Sequence, residues 1–181
     1  MVEPAGRPSS GRSRLVEALA RRRVALGYLL GLAALLLASP TPWSLAIGAS
    51  IAAIGEGVRV WAAGHLEKGR EVTTTGPYAL MRHPLYVGST IMGIGLVVAA
   101  HSVAVAVVVF GYFAVTYTAA IRSEEAHLTD KFGGHYPAYR GGSAVRSDRQ
   151  FSFARAMRNR EYRALLGLVA VMALLAAKYY L

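Results

Sequence analysis

Two short stretches concentrate the polar chemistry of an otherwise apolar chain. Positions 73–88 read TTTGPYALMRHPLYVG, and positions 122–140 read RSEEAHLTDKFGGHYPAYR. In the first, Gly76-Pro77 marks a turn and Arg82-His83-Pro84 closes the loop. Pro84 biases His83 towards extended backbone and itself suits the first turn of a helix. His83 and Arg82 are therefore expected at a helix start, on a loop held at two points. In the second, Arg122, Glu124 and Glu125 lie within one turn of the end of an apolar run. Carboxylates at a membrane edge can recognise a cation, or they can be solvated charges beside a snorkelling arginine. A lone histidine is equally compatible with a hydrogen-bonded structural role. Glu56 and Arg59 form a third pair, inside an apolar segment and three residues apart, so they share a helix face. Charges inside a span face the protein interior, as functional groups or as a structural ion pair. Glu124 to His127 is also a Glu-x-x-His, but carboxylate-bridged di-iron sites need two such motifs and only one is present. No metal site is expected. The absence of cysteine excludes disulfides, thiolate ligands and cysteine nucleophiles.

These residues need a scaffold, and composition says which kind. Apolar residues make up 54% of the 181, charged residues only 17%, and the mean hydropathy is +0.37. Such values suit one all-α integral membrane domain. Apolar runs bounded by prolines and polar turns predict five transmembrane helices, at about 24–39, 43–63, 84–100, 103–121 and 162–180. Residues 1–23 read as a basic, disordered tail. A basic start before an apolar run resembles a signal peptide. No A-x-A site follows, however, and a second apolar segment arrives after three residues, so a first span is expected. Residues 24–181 are then a single membrane domain. All Lys and Arg residues except Arg59 and Lys178 fall in the tail, in 64–82 or in 122–163, all on one side of a five-span topology. The positive-inside rule predicts a cytoplasmic N-terminus and an external C-terminus in the cell (inner) membrane. The net charge of +10 is thereby accounted for by topology and by attraction to anionic membrane lipid, with no nucleic-acid partner. Ala and Gly are abundant, and their small-xxx-small patterns receive little weight here. Gly93-Ile94-Gly95 lies mid-span and reads as helix packing.

The two stretches together resemble the isoprenylcysteine carboxyl methyltransferases and their relatives, the phospholipid methyltransferases. The pattern is carried by Gly76, Pro77, Tyr78, Arg82, His83, Pro84, Tyr86 and Gly88, then by Glu124, Glu125, Leu128, Phe132, Gly133, Tyr136 and Tyr139. RVWAAGHLEK at 59–68 is also similar, so the resemblance covers roughly 56–146. It implies an integral membrane enzyme using S-adenosylmethionine, held in a pocket built from cytoplasmic loops and the C-terminal segment. No strand–GxGxxG–helix unit competes with that reading. The implied cofactor-binding residues are Tyr78, His83, Leu85, Tyr86, Glu124, Glu125 and Tyr136. Either glutamate can pair with the cofactor's ammonium, the main chain from Tyr78 to Leu85 with His83 can hold its adenosine or carboxylate, and Tyr86 and Tyr136 can face its sulfonium. Methyl transfer needs alignment and desolvation first. Arg140 or Arg146 would orient a carboxylate acceptor, whereas an amine acceptor must lose a proton, to Glu125 or His83. The acceptor is expected to be lipid-like or prenylated and to enter sideways from the inner leaflet. The segment after Tyr139 departs from the eukaryotic pattern, and a further span follows it, which leaves the acceptor open. Two alternatives stay beside this reading: an NAD(P)H-dependent membrane reductase related to sterol reductases, and a small transporter or membrane-binding protein with Glu56 and Arg59 lining a path. Oligomeric state is not legible.

Overall fold

Residues 29–68, 70–133 and 148–181 are described in the computed structural model. Among them there are helices, one short 3-10 turn and no strand. Helix α1 is seen at 29–37. It is followed by α2 (Pro42–His65), α3 (Pro84–Ala100), α4 (Val103–Phe132), α5 (Phe153–Arg158) and α6 (Tyr162–Tyr180). The expected tail 1–23 and the start of the first span lie outside the described residues.

Local chemistry sets the helix ends. Thr41 and Ser44 cap α2 reciprocally through a capping box, with Pro42 in the first turn. Pro84 opens α3. The α3–α4 connection is the expected two-residue turn: His101 takes the left-handed conformation (φ 48°) and Ser102 caps α4. Three helices are long and apolar enough to cross a membrane, Pro42–His65, Val103–Lys131 and Tyr162–Tyr180, and α3 is a shorter apolar helix. The described residues thus form an all-helical unit with several apolar helices, as in a multi-pass membrane protein.

Two boundaries differ from the sequence reading. Helix α2 reaches His65, so the connecting loop is 66–83. Helix α4 does not stop at Ile121 but runs on to Phe132. Its 30 residues measure about 45 Å, and Glu124 and Glu125 sit on this continuous rod. Charged residues end the hydropathy run there, but Glu, Ala, Leu and Lys are good helix formers.

The tightest packing joins α2 to α3. A Cβ added at Gly48 would collide with the Gly95 carbonyl and the Ala99 backbone, and one at Gly55 with Gly88 and Met92. The backbones therefore touch along a seam of small residues, in which Ala52 is also fully buried. Close helix approach of this kind is the standard use of small residues in membranes. The low weight given to these patterns from sequence is corrected by this seam. Gly93 and Gly95 do serve packing: Gly95 faces Ala52, and Gly93 leaves room for the Phe113 ring of α4.

At the α1 end of the bundle, Ala38, Ala99, Ala100, Val105 and Leu175 form an apolar cluster. There Ser39 N–H donates to the Ala100 carbonyl at 2.7 Å. Lys178 Nζ donates to the carbonyls of Leu35 and Leu36 at 2.8 and 2.6 Å, satisfying acceptors that α1 leaves open at its last turn. At the opposite, basic end, segment 149–161 closes over the last turn of α2. Ser152 N–H and Arg155 Nη1 donate to the Gly64 carbonyl, and Asn159 Nδ2 donates to those of Ala63 and Leu66.

Candidate active site

The site grows from the loop between α2 and α3. Thr73, Thr74 and Thr75 are buried under the end of α2. The Thr75 hydroxyl meets His65 Nδ1 at 3.1 Å, and Thr73 accepts from Glu67 N–H at 3.3 Å. Gly76 has φ +57°, and a Cβ there would strike the His65 ring, so both backbone and space favour glycine. Pro77 is completely buried in the 3-10 turn Gly76–Ala79. Pro84 is equally buried at the head of α3. Between these two fixed points the chain delivers Arg82 and His83, as the spacing predicts.

Helix α4 brings the second motif to the same place. His83 Nε2 lies 3.2 Å from Glu125 Oε1, and Arg82 Nη1 lies 3.8 Å from the same oxygen. The Glu124 carboxylate lies near Tyr86. The His83 and Tyr86 rings meet edge to face with centroids 5.9 Å apart. Tyr86 in turn meets Tyr117 at 5.0 Å, and Tyr117 stacks on Phe113 at 4.6 Å. Of the residues expected from sequence, His83, Tyr86, Glu124 and Glu125 therefore converge. Leu85 lies in the first turn of α3 and contributes its carbonyl, which accepts from Ser89 Oγ at 2.9 Å. Tyr78 sits half-buried on the 3-10 turn. Tyr136, Arg140 and Arg146 lie outside the described residues.

A deeper polar group lies just inside the bundle. Arg59 Nε donates to Glu161 Oε1 at 2.6 Å, and Arg59 Nη1 donates to Ser89 Oγ. The expected Glu56–Arg59 contact exists at 3.7 Å, but it is too long for a hydrogen bond. Among the described residues neither oxygen of Glu56 finds a hydrogen-bond partner, although the residue is only 5% exposed. Sequence reasoning missed Ser89, Tyr117 and Glu161. The first two carried a signal: Ser89 follows Tyr86 by three residues, and Tyr117 precedes Glu124 by seven, each on a shared helix face. Glu161 carried none, being 102 residues from its partner.

A third charged group lies at the loop surface. Glu67 Oε1 accepts from Arg155 Nε at 2.7 Å and from Arg158 Nη2 at 3.4 Å, with Arg149 at 3.9 Å. Arg149 also reaches Glu71 at 2.7 Å. The Arg155 hydrogen bond, reinforced by these guanidinium charges, holds the Glu67 carboxyl below its usual range.

Between α3 and α4 an open groove of about 360 Å³ is lined by Thr90, Phe110, Phe113, Tyr117, Ile121 and Arg122, among others. Its walls are apolar apart from the threonine hydroxyls and Arg122 at one end.

No solved structure matches the chain. Two curated proteins are similar over 88 residues. The nickel-cobalt-cadmium resistance protein NccN of Alcaligenes xylosoxydans xylosoxydans is 38% identical, over 48% of this chain and 40% of its own length. The cobalt-zinc-cadmium resistance protein CzcN of Cupriavidus metallidurans is 39% identical, over 48% of this chain and 39% of its own. The matched region thus spans about 40% of each curated relative. Residues 24–135, which carry both halves of the site just described, match the phospholipid methyltransferase family, and the chain belongs to that family.

Proposed function

We propose that this protein transfers a methyl group from S-adenosylmethionine to a lipid-like or prenylated acceptor at the cytoplasmic face of the membrane. The observation that carries the reading is the convergence of Arg82 and His83 with Glu125, beside the Tyr86–Glu124 pair, from segments some 40 residues apart. The donor set fits the cofactor group by group. Glu124 and Glu125 offer carboxylates to an ammonium, Arg82 and His83 offer donors to a carboxylate, and the Tyr86 and Tyr117 rings offer faces to a sulfonium. The cofactor supplies an electrophilic methyl. The protein's part is to hold the donor on the rim, to align the acceptor in line with it, and to keep water away from the nucleophile. Arg140 and Arg146 remain the proposed acceptor-orienting residues for a carboxylate, and Glu125 the proton acceptor for an amine. Tyr78, Leu85 and Tyr136 complete the proposed cofactor shell.

The open groove beside Tyr117 is the proposed acceptor entrance. It is mostly apolar and includes Arg122 in its lining, which suits a hydrocarbon chain with a polar head. The five-span count, the cytoplasmic N-terminus and the external C-terminus belong to the same proposal. The names of the two relatives speak of metal resistance; among the described residues of this chain no three His, Cys, Asp or Glu side chains gather.

Calorimetric titration of the purified protein with S-adenosylhomocysteine tests the reading. Binding that Glu125→Ala abolishes is the expected result. No binding to wild type at millimolar ligand would end it. Membrane extracts incubated with radiolabelled S-adenosylmethionine then identify the acceptor.

A further inference from the structure

The buried arginine and the rim site are joined by one hydroxyl. Ser89 Oγ donates to the Leu85 carbonyl at 2.9 Å and accepts from Arg59 Nη1. A serine hydroxyl has a single proton, and here it is committed to Leu85, so Arg59 meets the serine's lone pairs. The junction ties α2, through Arg59, to the first turn of α3, through Leu85. Beyond Arg59 the chain of contacts continues to Glu161 at the head of α6. From the same first turn of α3, the Tyr86 ring meets Tyr117 of α4.

Ser89 lies one helical turn beyond Leu85 and three residues beyond Tyr86, the two α3 residues of the proposed cofactor shell. The Tyr86 and Val87 amides both donate to the His83 carbonyl at 3.1 Å, so this first turn also fixes where His83 sits. Helix α3 begins immediately after a loop; α4 reaches it through Phe113 over Gly93 and through the Tyr86–Tyr117 ring contact, and α2 reaches it through the Arg59–Ser89 bond. An apolar contact fixes spacing but leaves rotation free. Directed hydrogen bonds remove that freedom.

We propose that Arg59 and Ser89 are positioning residues for the methyl-donor pocket: Arg59, held by Glu161, sets Ser89, and Ser89 sets the first turn of α3 with its Tyr86. The proposal rests on the methyltransferase reading above, and it assigns Arg59 a role that its contact with Glu56 does not explain. Arg59 and Ser89 touch neither the donor nor the acceptor.

The test compares full-length wild type with Ser89→Ala, Tyr117→Phe and Arg59→Lys. Each is titrated with S-adenosylhomocysteine and melted in the same detergent. Ser89→Ala is expected to weaken binding about tenfold while its melting temperature stays within about two degrees of wild type. A purely structural serine would move the two together. Tyr117→Phe keeps the ring contact with Tyr86 and serves as the control, expected to bind within about twofold of wild type. Arg59→Lys keeps the charge facing Glu161 but lacks the planar fork that spans two partners, so it should stay folded with donor affinity close to that of Ser89→Ala. Wild-type affinity in Ser89→Ala overturns the proposal and leaves the methyltransferase reading intact. If wild type itself binds nothing, the functional reading fails. Amide exchange then decides the positioning claim: Tyr86 and Val87 should exchange about tenfold faster in Ser89→Ala, and unchanged rates overturn it.

Discussion

The molecule contains two charge clusters of opposite make-up. At the loop surface one carboxylate, Glu67, is ringed by Arg149, Arg155 and Arg158. Inside the bundle one guanidinium, Arg59, faces two carboxylates, Glu161 and Glu56. The first has an excess of positive partners, so the carboxylate does not depend on any one guanidinium, although Glu67, Arg149 and Arg155 are all largely buried. The second has a deficit, in a setting where an unpaired charge is costly. The surface cluster therefore acts as a clamp, closing 149–161 over the end of α2. The inner cluster depends on a single residue, and Glu56 is the group it leaves without a hydrogen bond.

The largest effect that would break this contrast is Arg59→Met. It strips both buried carboxylates of their only described cation, and a loss of about 3–5 kcal/mol is expected, read by denaturant unfolding in detergent. A loss below about 1 kcal/mol would show that the inner cluster is no more critical than a surface pair. Next comes Arg155→Ala. It removes bonds to Glu67, Gln150 and the Gly64 carbonyl, and about 2 kcal/mol is expected from charge-assisted bonds and an uncapped helix end. Protease nicking within 148–161 should rise in parallel; an unchanged cleavage rate would mean that the clamp is held elsewhere.

Acid comes third. The Glu67 carboxyl is depressed from its ordinary value of 4.5, chiefly by Arg155. Its contribution is therefore complete above about pH 4.5 and is lost as pH falls through the lower folded-state value. Melting curves between neutral pH and pH 3 should show a drop that Glu67→Gln reduces, and half-molar salt should mimic part of it. Equal acid sensitivity in the two proteins would place the titrating group elsewhere. The smallest effect is expected for Glu56→Gln, within about 0.5 kcal/mol of wild type or above it, because it removes a charge that accepts no hydrogen bond. A loss near that of Arg59→Met would make Glu56 the true partner.

Much of this was legible from the chain. Pro42, Pro84 and Ser102 mark helix starts by local chemistry alone. Pro84 and the Glu124-Glu125 pair gave His83 and its partner, because loop geometry and a membrane boundary leave few places for them. Three things were not legible. Arg59 has a carboxylate one turn away in sequence, yet its hydrogen bond goes to α6, and no local pattern encodes a contact of that separation. Arg155 and Asn159 satisfy carbonyls of α2, and the sequence of a helix end does not name its distant donors. Gly93 and Gly95 read as packing residues from their mid-span position, but Gly48, Gly55 and Gly88 looked like background composition because only the partner helix gives each one its meaning.

One feature of α4 has a mechanical side. The helix is a single rod of 30 residues, and most of its apolar length is left uncovered by the other described residues. Phe113 is seated over Gly93, and Glu125 lies twelve residues further on, about 18 Å along the axis. A 10° tilt about that contact would carry Glu125 sideways by about 3 Å, as far as its present separation from His83. In a bilayer, hydrophobic mismatch along such an apolar rod is expected to tilt it, and so to change the spacing of the two halves of the rim. Turnover measured in vesicles of graded acyl-chain length should pass through an optimum, and a flat profile would show the rod to be locked.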